Sequence, residues 1–202
     1  MYYFIGGPGR CGKTTLARML RGQVSAQSLS LDAMITALRS TTTPETHPAL
    51  FHKIVDPVTF DDPPQRRIDR YYWRDKEMWK FLRSYIHGMR QSGDNLIVEG
   101  CLWPSSAHEF DQEHRAVFLV DTSINHVERL IHIRDNSVHD NWMKEEYAED
   151  SLIEKWAQFN IVRSQFVIQE CEKYGYPYFD VGELGIENAQ QRALAWLVEG
   201  KK

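Results

Sequence analysis

Residues 7–14, with the sequence Gly7-Pro8-Gly9-Arg10-Cys11-Gly12-Lys13-Thr14, decide the fold of this chain. They satisfy the pattern G-x-x-x-x-G-K-S/T at every fixed position. The aromatic and β-branched residues 2–5 before them predict a buried strand. Apolar side chains at helical spacing predict a helix over 13–22. The motif therefore lies between a strand and the N-terminus of a helix, which is where phosphate-binding loops are found.

Each residue type in this loop suits the binding of a nucleoside triphosphate. Glycines let the backbone curl so that successive N–H groups point at phosphate oxygens, and the helix N-terminus adds its positive end. Lys13 can reach the β- and γ-phosphates as a catalytic cation, and the Thr14 hydroxyl is placed to bind Mg²⁺. The sequence therefore predicts a site for ATP and Mg²⁺. The residues expected to bind the nucleotide are Gly7, Pro8, Gly9, Arg10, Cys11, Gly12, Lys13, Thr14 and Thr15.

The remainder of the chain alternates between strand and helix patterns. Further strands are predicted over 26–31, 95–99, 116–120 and 176–181, and longer helices over 65–91, 150–174 and 187–198. Strands that alternate with helices indicate a parallel sheet with helices on both faces. We therefore expect one α/β domain that covers residues 1–202.

Two segments interrupt this alternation. Five of the eight prolines fall between Pro44 and Pro64. Because proline locks φ and lacks a backbone donor, residues 40–64 are predicted to form an irregular excursion and no strand of the sheet. A polar stretch, 135–149, follows the fourth predicted strand and its helix. Long irregular segments in a compact domain commonly serve as lids or substrate-binding segments.

The motif and this layout resemble the P-loop kinases of nucleotides and small molecules, a group that includes adenylate, shikimate and gluconate kinases. The resemblance in layout covers residues 2–198, and the specific match is confined to 7–15. It implies the three-layer P-loop NTPase fold, with about five parallel strands. It also implies a substrate-binding excursion over about 40–92 and an arginine-bearing lid over about 129–150. The activity implied is Mg-ATP-dependent phosphoryl transfer to a small-molecule or nucleotide acceptor.

Acidic residues follow three predicted strands, at the sheet edge where open α/β folds bind ligands. Asp32, after the second strand, is expected to orient the acceptor hydroxyl and accept its proton, and the alternative is a helix N-cap. Glu99 ends the third strand and is expected to hold Mg²⁺ or contact the acceptor, and the alternative is an exposed strand terminus. Asp121, after the fourth strand, is predicted to cap the helix that begins at Ser123.

Basic and aromatic side chains provide candidates for holding the acceptor. Arg67, Arg70 and Arg74 share one helix face at i, i+3 and i+7, away from the apolar face. Guanidinium groups in this arrangement could clamp a phosphate or carboxylate of the acceptor, and the alternative is a solvated charged face. Trp103 follows Glu99 closely in sequence and is a candidate to line the acceptor pocket.

The predicted lid contains few basic residues. The resemblance implies lid arginines that close over the transferring phosphoryl group and neutralise its developing charge. Arg134, at the entrance of the lid, is the first candidate for this role, and Arg129 is the second. Within 135–149, Lys144 is the only Lys or Arg, which departs from the pattern of adenylate kinases.

Composition and motif content exclude several classes of protein. The chain has 24 Lys and Arg against 28 Asp and Glu, a net charge of −4, which argues against duplex nucleic acid as a main partner. No window approaches the roughly 18 consecutive apolar residues of a membrane span, and the first residues lack a secretory signal. Cys11, Cys101 and Cys171 form no CxxC pair. We therefore expect a reduced, cytoplasmic chain without a membrane partner.

Three other functions use a phosphate loop of this kind. A GTPase-type switch would carry an NKxD motif after a late strand, and the sequence has none. A motor NTPase of the AAA type needs a helical subdomain for which 202 residues leave no room. A nucleic-acid end kinase is disfavoured by the acidic balance but stays open, because a single-strand end needs only a local basic groove.

Overall fold

A computed structural model gives the fold of most of the chain. It describes four stretches, residues 1–51, 61–89, 93–136 and 141–200. Residues 52–60 and 90–92 of the predicted excursion lie outside the described residues, as do 137–140 of the predicted lid.

The described strands form one parallel sheet. In chain order they are β1 (Tyr2–Gly6), β2 (Ala26–Ser30), β3 (Asn95–Glu99), β4 (His114–Val120) and β5 (Tyr178–Asp180). The spatial order is β2-β3-β1-β4-β5, and all four neighbouring pairs are parallel. This architecture confirms the predicted α/β class and the predicted sheet of about five strands.

Helices follow the strands along the described parts of the chain. In chain order they are α1 (Lys13–Arg21), α2 (Leu31–Arg39), α3 (Pro48–Phe51), α4 (Pro64–Met89), α5 (Pro104–His108), α6 (His126–Asn136), α7 (Asn141–Glu146), α8 (Asp150–Tyr174), α9 (Val181–Leu184) and α10 (Ile186–Glu199). Of these, α3, α5, α7 and α9 were not predicted, because helices of four to six residues are too short to show a periodic pattern. No helix in the described stretches is both long and apolar enough to cross a membrane.

Two hydrophobic clusters cover the two faces of the sheet. Phe4 of β1 points into a cluster formed with α4, α5 and α8. Its neighbours Tyr3 and Ile5 point into the opposite cluster, formed with α1 and α10. Successive strand residues face opposite sides, so both sets are buried. This explains why the inner strands are continuous apolar runs without polar alternation.

The strand register brings the candidate site residues to one edge of the sheet. Ile5 of β1 pairs with Glu99 of β3, and Ser30 at the end of β2 pairs with the same glutamate. The phosphate loop leaves β1 after Gly6, and α2 begins directly after β2. Parallel strands end at the same edge, so the loop, the first turn of α2 and Glu99 meet there.

Gly7 allows the chain to leave β1 at this edge. Its φ of 122° lies in a region that residues with side chains rarely adopt. A Cβ at this position would lie 1.9 Å from the carbonyl oxygen of Leu119 in β4, where backbone and not a movable side chain blocks the space. Only glycine therefore lets the phosphate loop begin here.

We expect Gly7→Ala to lower the free energy of unfolding by at least about 1–3 kcal/mol, the usual cost of a side chain in such a backbone region. The control is Gly88→Ala in α4, where a Cβ meets nothing within 4 Å. This change should raise stability by about 0.5–1 kcal/mol, because alanine is the better helix residue. Urea denaturation of both variants measures the difference, and equal stabilities would contradict this account of the loop.

Candidate active site

Hydrogen bonds within the chain hold the phosphate loop in its curled form. Gly12, the N-cap of α1, has a left-handed backbone with a φ of 85°. The side-chain amide of Gln190 in α10 donates to the Gly12 carbonyl at 3.0 Å. The buried Lys13 side chain folds back over the loop, and its Nζ donates to the carbonyl of Pro8. The ammonium group thus already lies over the cradle that phosphate oxygens would occupy.

Thr14 and Glu99, predicted separately as metal ligands, are brought together by the fold. Thr14 Oγ1 donates to Glu99 Oε2 at 3.3 Å. Glu99 is only 5% exposed, so the alternative of an exposed strand terminus is wrong. A hydroxyl and a carboxylate are the hard oxygen donors that suit Mg²⁺, which takes its other ligands from water and phosphate. The described part of the chain contains no group of three or more His, Cys, Asp or Glu suited to a metal.

Asp32 lies at the same edge of the sheet. It is exposed and belongs to the first turn of α2, and Ser30 occupies the N-cap position. The alternative of a helix N-cap is therefore wrong, because β2 ends and α2 begins one to two residues earlier than predicted. The Asp32 side chain lines the same cleft as Lys13, Thr14 and Glu99. Asp32 and Glu99, which follow two of the strands, were predicted to gather at one edge of the sheet, and in the structure they line one cleft with the phosphate loop.

This cleft has a volume of about 950 Å³, which is in the range of ligand pockets. One wall is the phosphate loop with Asp32 and Glu99. The lining also includes two aromatic side chains, Trp142 of α7 and Trp156 of α8. The guanidinium of Arg10 lies 5.2 Å from the ring centroid of Trp142, a cation–π contact between the loop and α7. The cleft therefore combines a phosphate-binding edge with aromatic surface.

Arg163 of α8 is the residue that the sequence analysis missed. It is 1% exposed and lines the cleft beside Cys101. Its Nη2 lies 3.9 Å from Asp75 Oδ2, whereas Arg74 donates to Asp75 Oδ1 at 2.9 and 2.6 Å. Nε and Nη2 of Arg163 have no hydrogen-bond partner within the described residues. A signal was present, because an arginine on the buried face of a long helix requires a partner or a function.

Two guanidinium groups thus share one buried carboxylate. Burial raises the pKa of Asp75 above its ordinary value, against the attraction of Arg74 and Arg163. Positive charge is in excess at this junction of α4 and α8. Two N–H donors of Arg163, at Nε and Nη2, have no hydrogen-bond partner among the described residues, and this side chain lines the cleft. Such a combination favours the binding of an anionic group.

The prediction that Arg67 and Arg74 lie outside the core is wrong. Their side chains are 5% and 1% exposed. The Arg67 guanidinium stacks 3.7 Å from the ring centroid of Phe159 in α8, so a second helix covers this face of α4. Arg70 remains partly exposed and forms an ion pair with Asp62 at 2.5 Å. The solvated-face alternative therefore applies to Arg70 and not to the other two.

Trp103 was predicted to line the acceptor pocket, and the structure corrects this. Its side chain is fully buried in the core and stacks on Tyr72 at a centroid distance of 4.2 Å. The Arg163 guanidinium lies 5.0 Å above the Trp103 ring. Trp103 therefore supports the wall of the cleft from behind.

Asp121 was predicted to cap a helix from Ser123, but α6 begins at His126. The buried carboxylate accepts from the Ser123 backbone at 3.0 Å, from His126 Nδ1 at 2.8 Å and from Arg129. Burial opposes its ionisation, but the hydrogen bond from His126 and the charges of His126 and Arg129 prevail and lower the pKa of Asp121. Asp121 thus anchors the turn that leads into α6.

The two candidate lid arginines have carboxylate partners away from the cleft lining. Arg129 pairs with Asp121 beneath the turn. Arg134 forms an ion pair with Asp150 at 2.6 Å and donates to the Tyr147 carbonyl at 3.1 Å. These contacts join the end of α6 to the start of α8. A catalytic role for either arginine stays a prediction.

Comparisons with known proteins agree with this architecture. No protein-family model matches the sequence, and no curated protein matches it significantly. Among solved structures, a shikimate kinase from Acinetobacter baumannii in complex with shikimate is 15% identical, with a TM-score of 0.53 over 99% of this chain and 94% of that chain. A Chloroflexus aurantiacus protein to which kinase activity has been attributed is 14% identical, with a TM-score of 0.53 over 100% and 98%. The chain therefore has the fold of the P-loop kinases.

We expect Asp75→Asn to lower the free energy of unfolding by about 3–5 kcal/mol, because it leaves Arg74 and Arg163 buried without a countercharge. Asp69→Asn on the same helix is the control, since Asp69 is exposed and contacts Gln65. It should change stability little. Chemical denaturation of both variants tests this, and a small effect at both positions would show that the cluster does not depend on its carboxylate.

Proposed function

We propose that this protein catalyses Mg-ATP-dependent phosphoryl transfer to a small-molecule or nucleotide acceptor. The observation that carries the proposal is the convergence of Lys13, the Thr14–Glu99 pair and Asp32 on one cleft. A phosphate cradle, a metal-binding pair and a carboxylate at the acceptor side are the parts that such a transfer needs. The kinase fold is consistent with this assignment.

The nucleotide end of the cleft would be formed by residues 7–15. Backbone N–H groups of the loop and the N-terminus of α1 would bind the phosphates. Lys13 would exchange the Pro8 carbonyl for phosphate oxygens and stabilise the charge that develops during transfer. Thr14 and Glu99 would hold Mg²⁺, which supplies neutralising charge to the phosphate oxygens. In this proposal the segment 129–150 is the lid, and Trp142 supplies its aromatic contact with Arg10.

The acceptor end would lie between Asp32 and Arg163. Asp32 is exposed to the cleft and would orient the acceptor hydroxyl and take its proton. Arg163 has open donors beside the cleft and would bind a carboxylate or phosphate of the acceptor. Arg74 lies behind it and holds Asp75, which leaves those donors open. Arg67 and Arg70 are placed on the same helix and remain candidates for the outer part of this region.

The experiment that tests the proposal has two stages. Binding of ATP, ADP and GTP with Mg²⁺ is first measured by thermal shift, where a nucleotide at 100 times its Kd should stabilise the fold by about 2.7 kcal/mol. A panel of metabolites and nucleotides rich in carboxylates and phosphates is then incubated with Mg-ATP, and new phosphorylated products are detected by mass. Absence of any nucleotide-dependent shift would overturn the phosphate-loop assignment.

Lys13→Ala should leave the fold intact, because the ammonium contacts only the loop carbonyl of Pro8 among the hydrogen bonds described. It should reduce phosphoryl transfer by about 10²-fold or more, since it removes charge stabilisation at the transferring group. Lys80→Ala is the control, because Lys80 is 73% exposed and pairs with Glu77 on α4. Turnover and melting temperature are measured for both, and undiminished transfer by folded Lys13→Ala would exclude a catalytic lysine.

Asp32→Asn keeps the shape of the side chain and leaves the Ser30 N-cap in place. The amide cannot accept a proton, so turnover with the acceptor found above should fall by roughly 10²–10⁴-fold. ATP affinity should stay near normal, because the phosphate loop determines it. Equal turnover of Asp32→Asn and the unchanged protein, at equal melting temperatures, would show that Asp32 has no part in the chemistry.

A further inference from the structure

The three cysteines differ sharply in their surroundings. Cys11 and Cys171 are fully buried. Burial raises the pKa of the Cys11 thiol to about 12 and raises that of Cys171 as well. Cys101 is partly exposed and lines the cleft beside Glu99. A reagent that enters the cleft therefore meets the sulfur of Cys101, whereas the other two thiols provide internal controls.

The sulfur of Cys101 lies against an arginine whose hydrogen-bonding capacity is not used. Arg163 Nη1 donates to Cys101 Sγ at 3.6 Å, and Nε and Nη2 of the same guanidinium have no partner within the described stretches. Asp75 Oδ1 accepts two hydrogen bonds from Arg74, and Asp75 Oδ2 lies 3.9 Å from Arg163 Nη2, beyond hydrogen-bond distance. A buried guanidinium with open donors is stabilised by additional oxygen acceptors, and anionic oxygens serve best.

We propose that Cys101 is a site of oxidative modification by peroxide, and that Arg163 binds the oxygen atoms of the product. The Cys101 sulfur attacks one oxygen of hydrogen peroxide, the O–O bond breaks, a sulfur–oxygen bond forms, and the thiol proton leaves. The released hydroxide takes up a proton and becomes water, so the sulfur is oxidised and the peroxide is reduced. A second peroxide molecule converts the sulfenic acid to a sulfinate by the same exchange. The anionic sulfinate places its oxygens beside the open donors of Arg163.

This modification would act on the acceptor end of the cleft. Cys101 and Arg163 both line the cleft wall with Asp32 and Glu99. An oxidised sulfur bound to Arg163 would occupy the place at which that arginine would bind an acceptor anion, a consequence that rests on the proposed function. Lys13 and Thr14 of the phosphate loop line the same cleft, but their described hydrogen bonds go to Pro8 and Glu99 and not to Cys101. Nucleotide binding should therefore survive oxidation.

The test is oxidation by hydrogen peroxide followed by digestion and peptide mass analysis of the full chain. We expect added oxygen at Cys101 at least about 10-fold faster than at Cys11 and Cys171, since the sulfur of Cys101 is accessible from the cleft and the other two are buried. Cys101→Ser should abolish this fast incorporation. Equal rates at the three cysteines, or no oxidation at Cys101 under conditions that oxidise free cysteine, would overturn the proposal.

The contribution of Arg163 is tested separately. Arg163→Gln should slow oxidation of Cys101, and Arg83→Gln, at an exposed position of α4, should not. Because loss of Arg163 could unfold the protein, a second measurement uses the unchanged chain: inorganic phosphate bound at Arg163 should slow oxidation of Cys101 and leave Cys11 and Cys171 unaffected. Oxidation that is insensitive both to phosphate and to a folded Arg163→Gln variant would exclude the arginine.

These outcomes are independent of the proposed activity. Thermal shift with Mg-ATP reports on the phosphate loop before and after oxidation, and oxygen incorporation is measured without any nucleotide. Failure to bind Mg-ATP would remove the proposed function and leave the reactivity of Cys101 standing. Loss of Mg-ATP binding on oxidation of Cys101 alone would instead show that the modified site extends to the nucleotide end, against the inference.

Discussion

The close approach of the phosphate loop to β4 is the contact on which the candidate site depends. Gly7 passes the carbonyl of Leu119 with no room for a side chain, so the chain turns out of the sheet at the end of β1. That turn places Gly12 at the start of α1, with Lys13 folded over the loop and Thr14 against Glu99. The register of β1 against β3, in which Ile5 pairs with Glu99, then places the Glu99 carboxylate beside the loop.

Excess positive charge between α4 and α8 is the second organising feature. Arg74 and Arg163 share Asp75, and the aromatic rings of Tyr71 and Trp103 take the faces of the Arg163 guanidinium. Aromatic stacking compensates only part of the cost of burying such a charge, because it leaves N–H donors open. Buried ion pairs contribute little net stabilisation. In the function proposed above, the acceptor anion would supply the oxygen acceptors that these donors lack.

The connection between α6 and α8 brings a third set of contacts to the cleft. Asp121 and His126 anchor the beginning of α6, and Arg134 ties its end to Asp150 and the carbonyl of Tyr147. The Tyr147 and Trp156 rings stack at 5.1 Å and support the aromatic wall. The arginines of this region thus hold the wall in position, while Arg10 is the basic residue of the loop that touches Trp142.

The sequence by itself determined the strand runs, the phosphate loop and the edge of the sheet at which Asp32 and Glu99 gather, because these depend on local patterns and on the rule that parallel strands end together. Tertiary structure alone decided the surroundings of the arginines. Helical spacing predicted that Arg67 and Arg74 lie off the apolar stripe of α4, but α8, some ninety residues later, covers that face with Phe159 and Arg163. The burial of these arginines, the contact of two of them with Asp75 and the unpartnered N–H donors of Arg163 all arise from contacts between segments that are distant in sequence. No local sequence pattern could therefore predict them.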